Sequence, residues 1–165
     1  MSNIERLLEQ NGLALPALPV AAGSYKPFYR LGNLLFLSGQ GPRDDAHKLV
    51  KGKLGDDYTT EQGARDAERI ALQLLATAKF ALGDLDAVIG VVKILGLVNC
   101  SANFTDQPKV VDGASNVFNK VFPHSPGHSR SAVGAISLPG GISVEIEAIF
   151  EVGESAPSAA ITTFP

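Results

Sequence analysis

The sequence predicts an α+β domain in which two long helices lie on one face of a sheet. Three observations predict it. Two segments carry apolar residues at helical spacing, several short runs are rich in β-branched residues, and the order reads β-β-(β)-α-β-α-β-β with no internal repeat or dividing linker. A chain of 165 residues suits one core, expected over 1–152 with a helical N-terminal extension. Residues 153–165, mostly Ser, Ala, Pro and Thr, are expected to form a mobile tail.

The elements follow in order. Ser2 and Glu5 fit a capping box, and Ile4, Leu7 and Leu8 share the face of a short helix over about 3–11, with Gly12 as its stop. Pro16 and Pro19 favour an extended connection. Strands are expected at Phe28–Arg30 and Leu34–Ser38 around the turn pair Gly32-Asn33. Gly39 to Asp57 reads as loop, with a short strand around Lys48–Lys51. From about Thr60 to Leu82, a stripe of Ala67, Ile70, Ala71, Leu74, Leu75, Ala78 and Leu82 marks a long helix, capped by Thr59 or Thr60 and ended by Gly83-Asp84. Val88–Val98 reads as a buried strand. A second helix over about Pro108–Val121 turns Val110, Val111, Ala114, Val117, Phe118 and Val121 inward. Ser131–Leu138 and Ile142–Val152 are expected as strands of a hairpin around Pro139-Gly140-Gly141. Helices on one face leave the other bare, and self-association is the simplest cover for it.

Composition excludes several classes. An apolar share of 45% and a charged share of 19% argue against disorder. The net charge of −3 and the absence of a basic stripe beyond Lys48, Lys51 and Lys53 disfavour nucleic acid as a partner. The lone Cys100 cannot form an intramolecular disulfide and suits a reducing compartment. Glu5 stands where a secretory signal needs an apolar run, and Ala87–Val98 is too short to span a bilayer. A soluble, cytoplasmic protein is expected.

Familiar cofactor signals are missing. Gly39-Gln40-Gly41 lacks a dinucleotide site's third glycine and following helix, and no Gly-Lys pair is followed by Ser or Thr. His124 and His128 are four apart, but Pro126-Gly127 break the helix that would align them, so loop histidines are expected and no metal. Arg130 stands where a loop enters a strand, and its planar fork suits a carboxylate; a surface pairing with a local acid is the other reading. Glu145 and Glu147 point to one side of a strand, opposite Val144, Ile146 and Ala148. That side is either a solvated face or, if self-association covers it, a place where a carboxylate could move protons.

Gly23-Ser24-Tyr25, Gly32-Asn33-Leu34-Leu35-Phe36-Leu37-Ser38-Gly39-Gln40, Arg130-Ser131 with Leu138-Pro139, and Val144-Glu145-Ile146-Glu147-Ala148-Ile149 resemble the RidA family, also called YjgF or L-PSP endoribonuclease-like. The spacings agree from about Ala21 to Val152. The resemblance implies a chorismate-mutase-like fold, a homotrimer with sites in its inter-subunit clefts, and cofactor-free hydrolysis of 2-imino and enamine acids to 2-oxo acids and ammonia. Carried over by position, Arg130 grips the substrate carboxylate with the backbone of Ala132. Glu145 orients or activates water, Tyr25 lines the site, and Ser38 and Gly39 serve the imine end. Ala132 stands where the family often has Cys, and Ser115, next to Asn116, where active deaminases resemble one another in an Asn. The N-terminal helix places the chain nearer a longer branch.

Reading the last two strands as a hairpin puts Arg130 on the order of 15 Å from Glu145. The cleft is therefore expected to join Arg130 of one subunit to Glu145 of its neighbour, unless the loop curls Arg130 back. Two other functions compete with the deaminase: a module that binds a small carboxylate without turnover, and an RNA endonuclease, which the acidic balance disfavours most.

Overall fold

Two capping boxes set where helices begin. In the computed structural model, which describes residues 2–18 and 23–153, the Ser2 hydroxyl accepts from the N–H of Glu5 while the Glu5 carboxylate accepts from that of Ser2. This starts α1, Asn3–Gln10. Thr59 and Gln62 make the same exchange at the head of α2, Thr60–Leu82, which Gly83 ends in the left-handed conformation at φ 78°. Helix α3 spans Gln107–Val121 with Pro108 in its first turn. Every inward position expected of the two long helices is buried.

The strands are β1 (Phe28–Leu31), β2 (Leu34–Gln40), β3 (Val88–Asn99), β4 (Ser129–Ala135) and β5 (Val144–Val152). Gly32-Asn33 joins β1 to β2 as a two-residue hairpin. The sheet order is β1-β2-β5-β3-β4. Helices α2 and α3 pack on one face over Leu35, Leu37, Ile94, Val98, Val144, Ile146, Ala148 and Phe150. The approach is close: a Cβ at Gly96 would strike Val111, and one at Gly113 would strike the Ala64 carbonyl. Ile4 and Leu8 of α1 join the same core.

The expected hairpin between the last two strands does not form. Strand β4 runs parallel to β3, from Lys93↔Ser129 to Asn99↔Ala135, and β5 pairs antiparallel with the other edge of β3. Parallel neighbours need a crossover, and α3 supplies it between β3 and β4. Pro139–Gly141 is a single 3₁₀ turn with Gly140 and Gly141 at φ 66° and 73°. The β4 strand therefore starts and stops earlier than expected, following its register on β3. Near Lys48–Lys51 only isolated bridges form, Arg43↔Leu49 and Lys51↔Ile142.

The sheet face away from the helices carries Phe36, Leu95, Leu97, Val133 and Ile149 beside Glu145 and Glu147. Among the described residues no helix is long and apolar enough to cross a membrane. Gly153 closes β5 with a hydrogen bond from its N–H to Ala87 O, and the rest of the expected tail lies outside the described residues.

Candidate functional site

The named site residues fall into two groups, one on each face of the sheet. The first lies on the open face, where β2 ends beside the start of β5. The ladder is irregular between Leu37 and Gln40, which sets Ser38 and Gly39 out of regular pairing. The Glu145 carboxylate lies across Gly39 so closely that a Cβ there would overlap its Oε1. Half-burial, followed by repulsion from Glu147, pushes the Glu145 carboxyl above the usual carboxylate range. The Ser38 hydroxyl donates to Lys26 O at 2.7 Å and its N–H to Pro27 O at 2.9 Å. These bonds tie the segment that carries Tyr25, an exposed ring, to the strand end.

The second group lies on the helix face at the sheet's outer edge. Arg130 sits in register with Ile94, a core residue, so its side chain shares the helix face. Its Nη1 donates to Asp112 Oδ1 at 2.6 Å and to Ser115 Oγ at 3.1 Å, both on α3. Ser115 Oγ also lies 3.0 Å from His128 Nε2. Burial, followed by the Arg130 charge, lowers the His128 pKa and favours its neutral form. Ala132 is in register with Gly96 on this face, partly buried against the core. Ser115 is buried and turned to Arg130, whereas its neighbour Asn116 is exposed, so the hydroxyl occupies the position expected to matter.

Glu145 and Arg130 are thus not brought together within the chain. Leu97 stands between Glu145 and Val133, and Arg130 lies three residues further along β4. Two strand spacings and three rises put their Cα atoms about 14 Å apart, with side chains on opposite faces. The loop does not curl Arg130 back. Asp112, Asp66 and Ser143 take part in these arrangements without having been singled out from the sequence for a role, and His128, a loop histidine as expected, adds its ring to Ser115. Asp66 is fully buried, accepting from the Ser143 hydroxyl at 2.5 Å and from Arg69 at 3.0 Å, and so pins the backbone just ahead of Glu145. One signal could have found it: Asp66 falls four residues before Ile70, on the apolar stripe of α2.

Comparison with known proteins places these features in context. Residues 5–143 match the family model described as "YjgF/chorismate_mutase-like, putative endoribonuclease". Protein TCP17 of Trypanosoma cruzi is 40% identical over 152 residues, covering 92% of each chain. The crystal structure of Atu1372 from Agrobacterium tumefaciens superposes with a TM-score of 0.82 at 41% identity, covering 91% of this chain and 94% of that one. A 2-iminobutanoate/2-iminopropanoate deaminase of Dermatophagoides farinae is 27% identical over 83% of this chain and 92% of its own length.

Proposed function

The chain belongs to the YjgF/chorismate mutase-like family, and on that premise we propose that it hydrolyses small reactive 2-imino acids to 2-oxo acids and ammonia, as a homotrimer and without a cofactor. The observation that carries this reading is the Glu145 carboxylate, half-buried against Gly39 with its proton affinity raised. A carboxylate held that way binds a proton more tightly than a free one, and can take one from water and return it. Arg130, anchored through Nη1 by Asp112 and Ser115, keeps Nε and Nη2 for a substrate carboxylate. Water adds to the imine carbon as its proton passes to Glu145. Glu145 delivers that proton to the nitrogen to give the carbinolamine, then takes the carbinolamine hydroxyl proton and passes it to the departing nitrogen as the C–N bond breaks and C=O forms, leaving the 2-oxo acid and ammonia.

Opposite placement of the two groups supports a cleft between subunits, with Arg130, Ser115 and Ala132 from one protomer and Glu145, Ser38, Gly39 and Tyr25 from the next. The apolar open face supports trimer assembly around it. The mite deaminase supports the substrate class, since its name states that chemistry for a relative spanning most of this chain.

The test generates 2-iminobutanoate in situ with an amino-acid oxidase and follows release of the 2-oxo acid. Wild-type protein should accelerate release, with a rate that climbs with pH as the raised Glu145 carboxyl ionises. Arg130→Ala should lose at least about tenfold in kcat/KM, through a missing charge-assisted contact. Equal rates with and without Arg130 would remove it from the mechanism. One observation favours a second reading, a module that binds a small carboxylate without turnover: Asp112 already neutralises part of the Arg130 charge. Tight binding of a 2-oxo acid with no acceleration of any imine would select it. An endoribonuclease is disfavoured by the net charge of −3.

A further inference from the structure

The hydrogen bonds around Ser115 form a chain whose direction matters. Ser115 has one proton and accepts at its oxygen. The Arg130 guanidinium can only donate, so at 3.1 Å the hydroxyl oxygen must face Nη1. The other neighbour, His128 Nε2, lies at 3.0 Å. If Nε2 is bare, the hydroxyl proton points at it and the oxygen lone pairs are left for Arg130. The cation in turn polarises the O–H toward the ring, and the lone-pair end of the imidazole faces the positive charge. If Nε2 carries the proton, the hydroxyl is an acceptor on both sides and its own proton must find the helix backbone.

We propose that His128 is a positioning residue: its unprotonated Nε2 takes the Ser115 hydroxyl proton and so fixes that hydroxyl as an acceptor for Arg130. This rests on the reading of Arg130 as the carboxylate grip. With Asp112 and Ser115 both accepting from Nη1, the guanidinium plane is set and its other edge is presented to a ligand. The ring is placed independently of the relay. It meets Phe118 edge-on at 6.1 Å between centroids, and shares a small cavity with Val91, Asn119, Phe122 and Ser125. A nucleophilic role for Ser115 is the poorer account of the same pair. The residue is buried and its oxygen receives a hydrogen bond from a cation, which draws electron density away from it.

Two arms of one experiment test this on the full-length protein. In the first, long-range ¹H–¹⁵N spectra of the imidazoles at about pH 7.5 report which ring nitrogen is protonated. The relay requires His128 as the Nδ1–H tautomer, reverting toward an ordinary free-ring mixture in Ser115→Ala. An Nε2–H tautomer in the wild type overturns it, whether or not any ligand binds. The second arm measures affinity for 2-oxobutanoate, a small 2-oxo acid. His128→Phe keeps the ring against Phe118 but has no acceptor, and should weaken binding about fivefold, the loss of one ordinary hydrogen bond. His128→Gln restores an acceptor and should stay within about twofold of wild type. His128→Phe binding as tightly as wild type overturns the proposal. Arg130→Ala separates the two claims. Binding that survives in Arg130→Ala defeats the carboxylate-grip reading, whereas binding that needs Arg130 but ignores His128 defeats only the relay.

Discussion

The space above Gly39 is filled by an oxygen of Glu145, and that single contact decides where the proposed base sits. The first side-chain carbon at residue 39 would take that space. The obstructing atom is the far end of a flexible side chain, so the carboxylate would swing aside and the fold would survive. Gly39→Ala should therefore cost no more than about 1 kcal/mol in denaturant unfolding while lowering imine hydrolysis by at least about tenfold. A variant with full activity would mean that the carboxylate need not lie against the strand end. Glu145 drew notice because it and Glu147 alternate with apolar residues along one strand, and Arg130 because its charge stands where a loop enters a strand. The roles of His128 and Asp112 were not legible, since their importance lies in a contact between α3 and the β4 edge that no local pattern encodes. Ser115 came only from its place in the family resemblance.

Both long helices could be read to within a residue or two, because apolar stripes are local signals and Thr59 caps α2. Strand partners could be read only across a tight turn: Gly32-Asn33 pairs β1 with β2 as expected, but β4 and β5 do not pair. Pro139-Gly140-Gly141 reads as a hairpin turn, yet β4 pairs in parallel with β3 through the α3 crossover. The close packing this needs is concentrated at Gly113, where α3 passes the backbone of α2 at Ala64. Here the obstructing atom is a carbonyl oxygen rather than a movable side chain. Gly113→Ala must push the helices apart and should destabilise the protein by about 2 kcal/mol, read as a lower denaturant midpoint at unchanged slope. It should also weaken 2-oxo acid binding, since Asp112 and Ser115 flank the displaced residue and hold Arg130. Unchanged stability would show that the two helices have slack where the packing is tightest.

At the scale of the whole molecule, the two faces of the sheet divide the labour. The helix face holds the core and, at its rim, the cation; the open face holds the acid among Phe36, Leu97, Val133 and Ile149. A strand cannot rotate one of its residues to the other face without turning its whole core set outward. No small rearrangement of a lone chain therefore unites Arg130 with Glu145. The proposed trimer would, by bringing the rim of one protomer against the open face of the next. Arg130→Ala and Glu145→Gln should each be inactive as pure assemblies. Coexpressed with different tags and purified through both, they should regain activity. A cleft drawing its cation from the Glu145→Gln chain and its acid from the Arg130→Ala chain contains both intact groups. Random association at equal amounts makes about a quarter of all clefts of that kind, and selection for mixed particles raises the share. If the two groups instead acted within one chain, every cleft of every mixed particle would lack one of them, and purified hybrids would remain as inactive as their parents.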